Sequence, residues 1–110
     1  MLIDTEARQT ILEIVEKIKQ EYQPEKIILF GSYAEGRQNE DSDIDLFIIK
    51  ETEERPIDRR VKVAEIICDP HRFIPVESIV ITPQELQQRL KIGDQFIQKI
   101  LQRGELLYAA

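Results

Sequence analysis

Asp43 and Asp45 stand two positions apart at the head of an apolar run, in the stretch "SDIDLFII". Successive side chains of a β-strand alternate faces, so residues at i and i+2 project together, here about 7 Å apart along the backbone. Two carboxylates that close repel, and one tends to hold a proton unless a cation neutralises the pair. A Mg²⁺ ion meets that need, because it is a hard cation that takes one or two carboxylates together with phosphate oxygens. Upstream, Gly31-Ser32 follows the run "KIILF" and opens what reads as a helical turn. Glycine lets backbone N–H groups approach a phosphate closely, and a helix start attracts negative charge. Ser32 adds a hydroxyl. Glu77, at the start of a later apolar run, offers a third carboxylate if its strand lies beside that of Asp45. Three carboxylates at adjacent strand ends can hold two metal ions for in-line attack at phosphorus. The combined chemistry is that of a Mg-nucleotide site.

Each residue also has a purely structural reading. Asp-x-Asp pairs occur at solvated strand ends, and a lone glutamate at Glu77's position often faces water. Ser32-Tyr33-Ala34-Glu35 fits a helix capping box. Arg37 fits either a phosphate contact or an exposed surface, and His71 reads as a turn residue after Asp69-Pro70.

These residues need elements to position them. Ala7, Ile11, Ile14, Val15, Ile18 and Tyr22 recur at helical spacing, which predicts a first helix from Asp4, its N-cap, to about Tyr22, closed by Pro24. "KIILF" and "DIDLFII" predict two strands, the first buried on both faces, joined through the polar "GRQNEDS". A second helix is expected over Asp58–Cys68, with Val61, Ala64 and Cys68 inward. "FIPVESIVIT" predicts a third strand, and Thr82-Pro83-Gln84-Glu85 a capping box with proline at the first helical position. Gly93-Asp94 interrupts that helix; Phe96, Ile97, Ile100 and Leu101 form a further apolar face, and "ELLY" a short closing strand. The expected fold class is α/β (α+β): one domain over residues 1–110, a small mixed sheet of three or four strands with helices packed on it.

Composition narrows the function. Fifteen basic against twenty-one acidic residues give a net charge of −6, and the positive charges are scattered, so no basic face for unaided nucleic-acid binding is expected. No apolar run approaches the roughly 20 residues of a membrane span, and "MLIDTEARQT" lacks a signal peptide's layout. A cytoplasmic location is expected. The lone Cys68 excludes an internal disulfide and reads as a small buried apolar side chain.

Gly31-Ser32, ten intervening residues, then Asp43-x-Asp45, embedded in "GSYAEG…SDIDL", resembles the signature of the minimal nucleotidyltransferases of the polymerase-β-like superfamily. The likeness extends along nearly the whole chain, through "VESIVITPQEL" to "ILQRGELLY". It implies the polymerase-β-like nucleotidyltransferase fold and transfer of a nucleoside monophosphate from ATP to an acceptor hydroxyl, with release of pyrophosphate. On that resemblance Gly31 and Ser32 hold the terminal phosphates and Ser42 supports the loop before the aspartates. Asp43 and Asp45 bind two Mg²⁺ ions, and Glu77 completes the site and helps deprotonate the acceptor. Two positions depart from the family pattern. Glu35 stands where arginine is common, removing a positive charge, and Glu77 stands where aspartate is usual, lengthening the arm by one methylene.

Chains of this size resemble the antitoxins paired with HEPN-domain ribonuclease toxins, which add AMP to a toxin tyrosine. The expected function is therefore a protein adenylyltransferase whose partner supplies the acceptor. The alternatives are an antitoxin acting by stoichiometric binding alone and a small-molecule nucleotidyltransferase working with a companion subunit.

Overall fold

The computed structural model describes residues 5–110, so the expected Asp4 cap lies outside the described residues. Helix α1 (Thr5–Tyr22) leads into β1 (Lys26–Phe30), the one-turn α2 (Ser32–Glu35) and β2 (Ile44–Ile49). Then come α3 (Pro56–Ile66), β3 (Val76–Ile81), α4 (Pro83–Lys91), α5 (Gln95–Arg103) and β4 (Glu105–Ala109). The four strands form one sheet in the order β3-β2-β1-β4. β1 is antiparallel to both β2 and β4, whereas β2 and β3 are parallel. The sheet is thus mixed, as expected. No helix among the described residues is long and apolar enough to cross a membrane.

The uninterrupted "LFII" run has a direct explanation. Leu46 and Ile48 enter a core with Ile11, Ile14 and Ile18 of α1 and Val63 of α3. Phe47 and Ile49 enter a second core with Ile97 and Ile100 of α5. β2 is covered on both faces, so alternation with polar residues would cost burial on one side. β1 divides likewise, Ile27 and Leu29 facing α1 and Ile28 facing α5.

Local chemistry sets the helix ends. Thr82 Oγ1 accepts the Glu85 N–H (3.1 Å) while Glu85 Oε1 accepts the Thr82 N–H (2.9 Å), so the capping box forms as read from the sequence. Asp94 caps α5 by accepting the Ile97 N–H at 3.1 Å.

Two expectations fail, both through the phase of a helix face. α3 starts at Pro56 and turns Arg59, Val63 and Ile67 inward, leaving Val61, Ala64 and Cys68 exposed. The unforeseen member is Arg59, buried to 5 % exposure. Its guanidinium donates to the Glu54 carbonyl (2.8 Å) and to Glu85 Oε1 (2.7 Å), which satisfies the charge where a sequence pattern would place it in water. On α5, Ile97 and Ile100 are buried, but Phe96 and Leu101 are 53 % and 39 % exposed, so its apolar stripe is narrower than expected.

Candidate active site

The turn at Gly31 packs against Asp45, one of the sequence-predicted residues. Gly31 has φ +77° and ψ −157°, a region open essentially to glycine alone. A Cβ there would lie 2.3 Å from Asp45 Oδ2, far inside van der Waals contact. Gly31 is therefore required twice, for its backbone and for the carboxylate pressed against it. Its carbonyl accepts the N–H groups of Ala34 (3.1 Å) and Glu35 (3.2 Å), so Gly31 is the N-cap of α2.

That geometry removes the capping-box reading of Ser32. Ser32 is the first residue inside the helix, no side chain caps it, and its hydroxyl has no protein partner among the described residues. Glu35 turns to Arg37 (3.2 Å) and Arg103 (3.8 Å). With only one turn, α2 carries little macrodipole, so any anion held here would depend on the Gly31-Ser32 turn itself.

Strand pairing decides the neighbours of Asp45. Phe30 of β1 is its partner on one side and Glu77 of β3 on the other. Side chains in register on adjacent strands share a face, so Asp45 and Glu77 lie on one face at the same end of the sheet. Burial raises the Asp45 pKa above its ordinary value, and repulsion from Asp43 and then Glu77 raises it further. Asp45 itself has no hydrogen-bond or ion-pair partner among the described residues. Glu77 does have one, Arg60 of α3, at 3.0 Å.

Just before the aspartates the loop is tightly tied. Ser42 Oγ accepts the Asn39 N–H (2.9 Å), and Asn39 Oδ1 accepts the Asp41 N–H (2.8 Å). Ser42 thus fixes the turn that delivers Asp43. His71 lies elsewhere, beside a cavity of about 710 Å³ on the α1 side, whose lining includes none of Asp43, Asp45 and Glu77. Arg37 is an exposed partner of Glu35.

Oxygen donors that repel one another suit a hard divalent cation in chemistry. In position, the aspartates fit better than the glutamate, because Arg60 holds Glu77. No three acidic, histidine or cysteine side chains among the described residues form a ready ligand set. Asp43 and Asp45 are the residues that could hold such an ion.

Beside Gly31, and unforeseen from the sequence, Lys99 and Arg103 of α5 face the end of β1 across a small cavity. Their i, i+4 spacing with Phe96 one turn before is the signal, legible only once α5 is known to cross β1.

Asp43 just before β2 and Asp45 within it stand near a glycine-serine turn on a mixed sheet, and the comparisons give the family. The nucleotidyltransferase domain model matches residues 11–107, and the chain belongs to that family. It is 33 % identical over 103 residues to "Putative protein adenylyltransferase MJ0604" of Methanocaldococcus jannaschii, covering 91 % of this chain and 96 % of that protein. "Putative protein adenylyltransferase MJ1305" of the same organism is 36 % identical over 101 residues, 87 % of this chain and 67 % of the relative. A nucleotidyltransferase crystal structure from Sulfolobus solfataricus superposes with a TM-score of 0.63 at 25 % identity, covering 92 % of this chain and 78 % of that one. A toxin–antitoxin crystal structure with AMP-PNP shares the fold, with a TM-score of 0.59 at 21 % identity, covering 90 % and 73 %.

Proposed function

We propose that residues 1–110 act as one nucleotidyltransferase domain, a protein adenylyltransferase that moves AMP from ATP onto a hydroxyl of a partner protein. The partner we favour is a HEPN-type ribonuclease toxin and the acceptor a tyrosine, so that modification neutralises the toxin. The carrying observation is the contact of Gly31 with Asp45. That contact puts the Gly31-Ser32 turn beside a carboxylate with no ion-pair partner among the described residues, which supports the reading. Similarity to two proteins named as protein adenylyltransferases supports a protein acceptor.

In this reading the acceptor O–H loses its proton, its oxygen bonds to the α-phosphorus, and the bond from that phosphorus to the β-phosphate bridge breaks, releasing pyrophosphate. Gly31 and Ser32 orient the terminal phosphates, and Ser42 holds the loop that aims Asp43. Glu77, released from Arg60, would take the acceptor's proton. Mg²⁺ held by Asp43 and Asp45 would supply charge neutralisation at the phosphoryl oxygens.

Incubation with labelled ATP, Mg²⁺ and the neighbouring toxin should label the toxin, and Asp43→Asn should abolish that label. A wild-type protein that transfers nothing, or an Asp43→Asn protein that transfers normally, refutes the reading. One observation favours a second function, an antitoxin that acts by contact alone: the Arg60–Glu77 ion pair occupies the third carboxylate. If Asp45→Ala still rescues growth against the toxin at native levels, contact suffices.

A further inference from the structure

α5 crosses the end of β1 and leaves a cavity of about 220 Å³ on the side of Asp45 opposite Glu77. Its walls include Phe30, Gly31, Phe96, Lys99 and Arg103. The two phenylalanine rings meet edge to face, centroids 5.9 Å apart and planes at 87°. Phe96 remains 53 % exposed, a large apolar ring at the mouth of the cavity. Gly104 permits the close approach of the α5 end to β1, since a Cβ there would lie 2.6 Å from Ile28 Cγ2 and 3.0 Å from the Leu29 carbonyl oxygen.

The rim carries two cations, Lys99 and Arg103, and one carboxylate, Glu35, in a chain of net charge −6. Lys99 has no carboxylate within ion-pair distance among the described residues. Arg103 is 3.8 Å from Glu35, which also holds Arg37 at 3.2 Å. Glu35 thus lies between two arginines beside the cavity.

Sites that enclose a whole drug-sized ligand run to roughly 300–1,000 Å³. A space below that range takes part of a molecule, one ring system. Aromatic walls suit a flat ring by stacking or edge contact, and a cationic rim suits a ring whose substituent is anionic. The shared wall, Gly31, joins the cavity to the phosphate turn and to Asp45 without a break.

We propose that this pocket receives the nucleobase of the nucleotide, its ring against Phe96 and Phe30, with Lys99 and Arg103 meeting the anionic tail as it leaves toward Asp45. The proposal rests on the nucleotidyl-transfer reading and adds the residues that recognise the base.

Calorimetric titration with ATP and with tripolyphosphate, each with Mg²⁺, tests it. Wild type should bind both. Phe96→Ala should weaken ATP about tenfold, in the range for losing one aromatic–base contact, and leave tripolyphosphate unchanged. Phe96→Leu keeps apolar bulk, guards against a folding defect, and should weaken ATP similarly; Phe96→Tyr keeps the ring and should bind ATP as wild type does. The double variant Lys99→Ala/Arg103→Ala should weaken both ligands. Wild-type ATP affinity in both Phe96→Ala and Phe96→Leu overturns the base pocket while leaving the transfer reading intact. So does equal weakening of ATP and tripolyphosphate by Phe96→Ala. A wild type that binds no ATP overturns both.

Discussion

Asp45 and Glu85 are both acidic side chains at the end of a secondary-structure element, and their surroundings are opposite. Glu85, in the first turn of α4, accepts from Arg59 at 2.7 Å and from the Thr82 N–H at 2.9 Å. The Arg59 hydrogen bond, with the Thr82 backbone and the Arg59 charge, holds its carboxyl below the usual range. Asp45, at the end of β2, has burial and two like charges around it, and its carboxyl sits above the usual range. The chain supplies a cation where a carboxylate builds the fold. Asp45 has no such partner among the described residues, and its ionised form costs stability that protonation or a cation would relieve. The difference between the regions is that one is complete by itself and the other is not.

Breaking the complete region should have the largest effect on stability. Arg59→Ala removes a buried guanidinium and strips Glu85 of its partner. It should cost about 3 kcal/mol in urea unfolding, at the lower end for a broken buried pair because Glu85 remains partly open to water. Gly31→Ala brings the two regions closer in kind, since it damages the incomplete one. The unfavourable φ alone costs on the order of 1–3 kcal/mol, and the new Cβ must displace Asp45. Urea unfolding should report that loss, and ATP binding should fall with it.

A smaller effect sharpens the comparison by sign. Glu85→Gln at pH 7 should destabilise by about 1 kcal/mol, a value reduced for solvent exposure. Asp45→Asn, measured in EDTA at the same pH, should stabilise by a few tenths of a kcal/mol. Both differences should fade in acid, for opposite reasons. A depressed carboxyl contributes stability above its unfolded value, 4.5 for Glu85, and loses it as pH falls through the folded value. A raised carboxyl costs nothing below its unfolded value, 3.8 for Asp45, and becomes unfavourable as pH rises through the folded one. Unfolding curves for the two variants at pH 7 and pH 3 check both signs. A destabilised Asp45→Asn would mean that Asp45 serves the fold.

Much of this architecture was legible because apolar runs and turn chemistry act locally. "LFII" announced a strand covered on both faces, and Thr82-Pro83-Gln84-Glu85 formed the capping box that its spacing predicts. The approach of Gly31 to Asp45, with Asp43 close by, follows from the pairing of β1 with β2 over a short stretch of chain. Arg59 defeated the reading of α3, since a pattern that places arginine in water cannot see the distant acceptors at Glu54 and Glu85. The Arg60 contact to Glu77 depends on where α3 meets the sheet edge, and the Phe30–Phe96 pocket on α5 crossing β1. Those are tertiary facts, carried by no local spacing.

The most direct measurement is AMP incorporation by Asp45→Asn beside wild type, with labelled ATP, Mg²⁺ and the proposed toxin partner. Both proteins should be folded, as unfolding curves will show, and the variant should be slower by on the order of 10²–10³-fold, the usual loss for a group acting on transition-state charge. A folded Asp45→Asn protein that labels its partner at the wild-type rate would contradict the account.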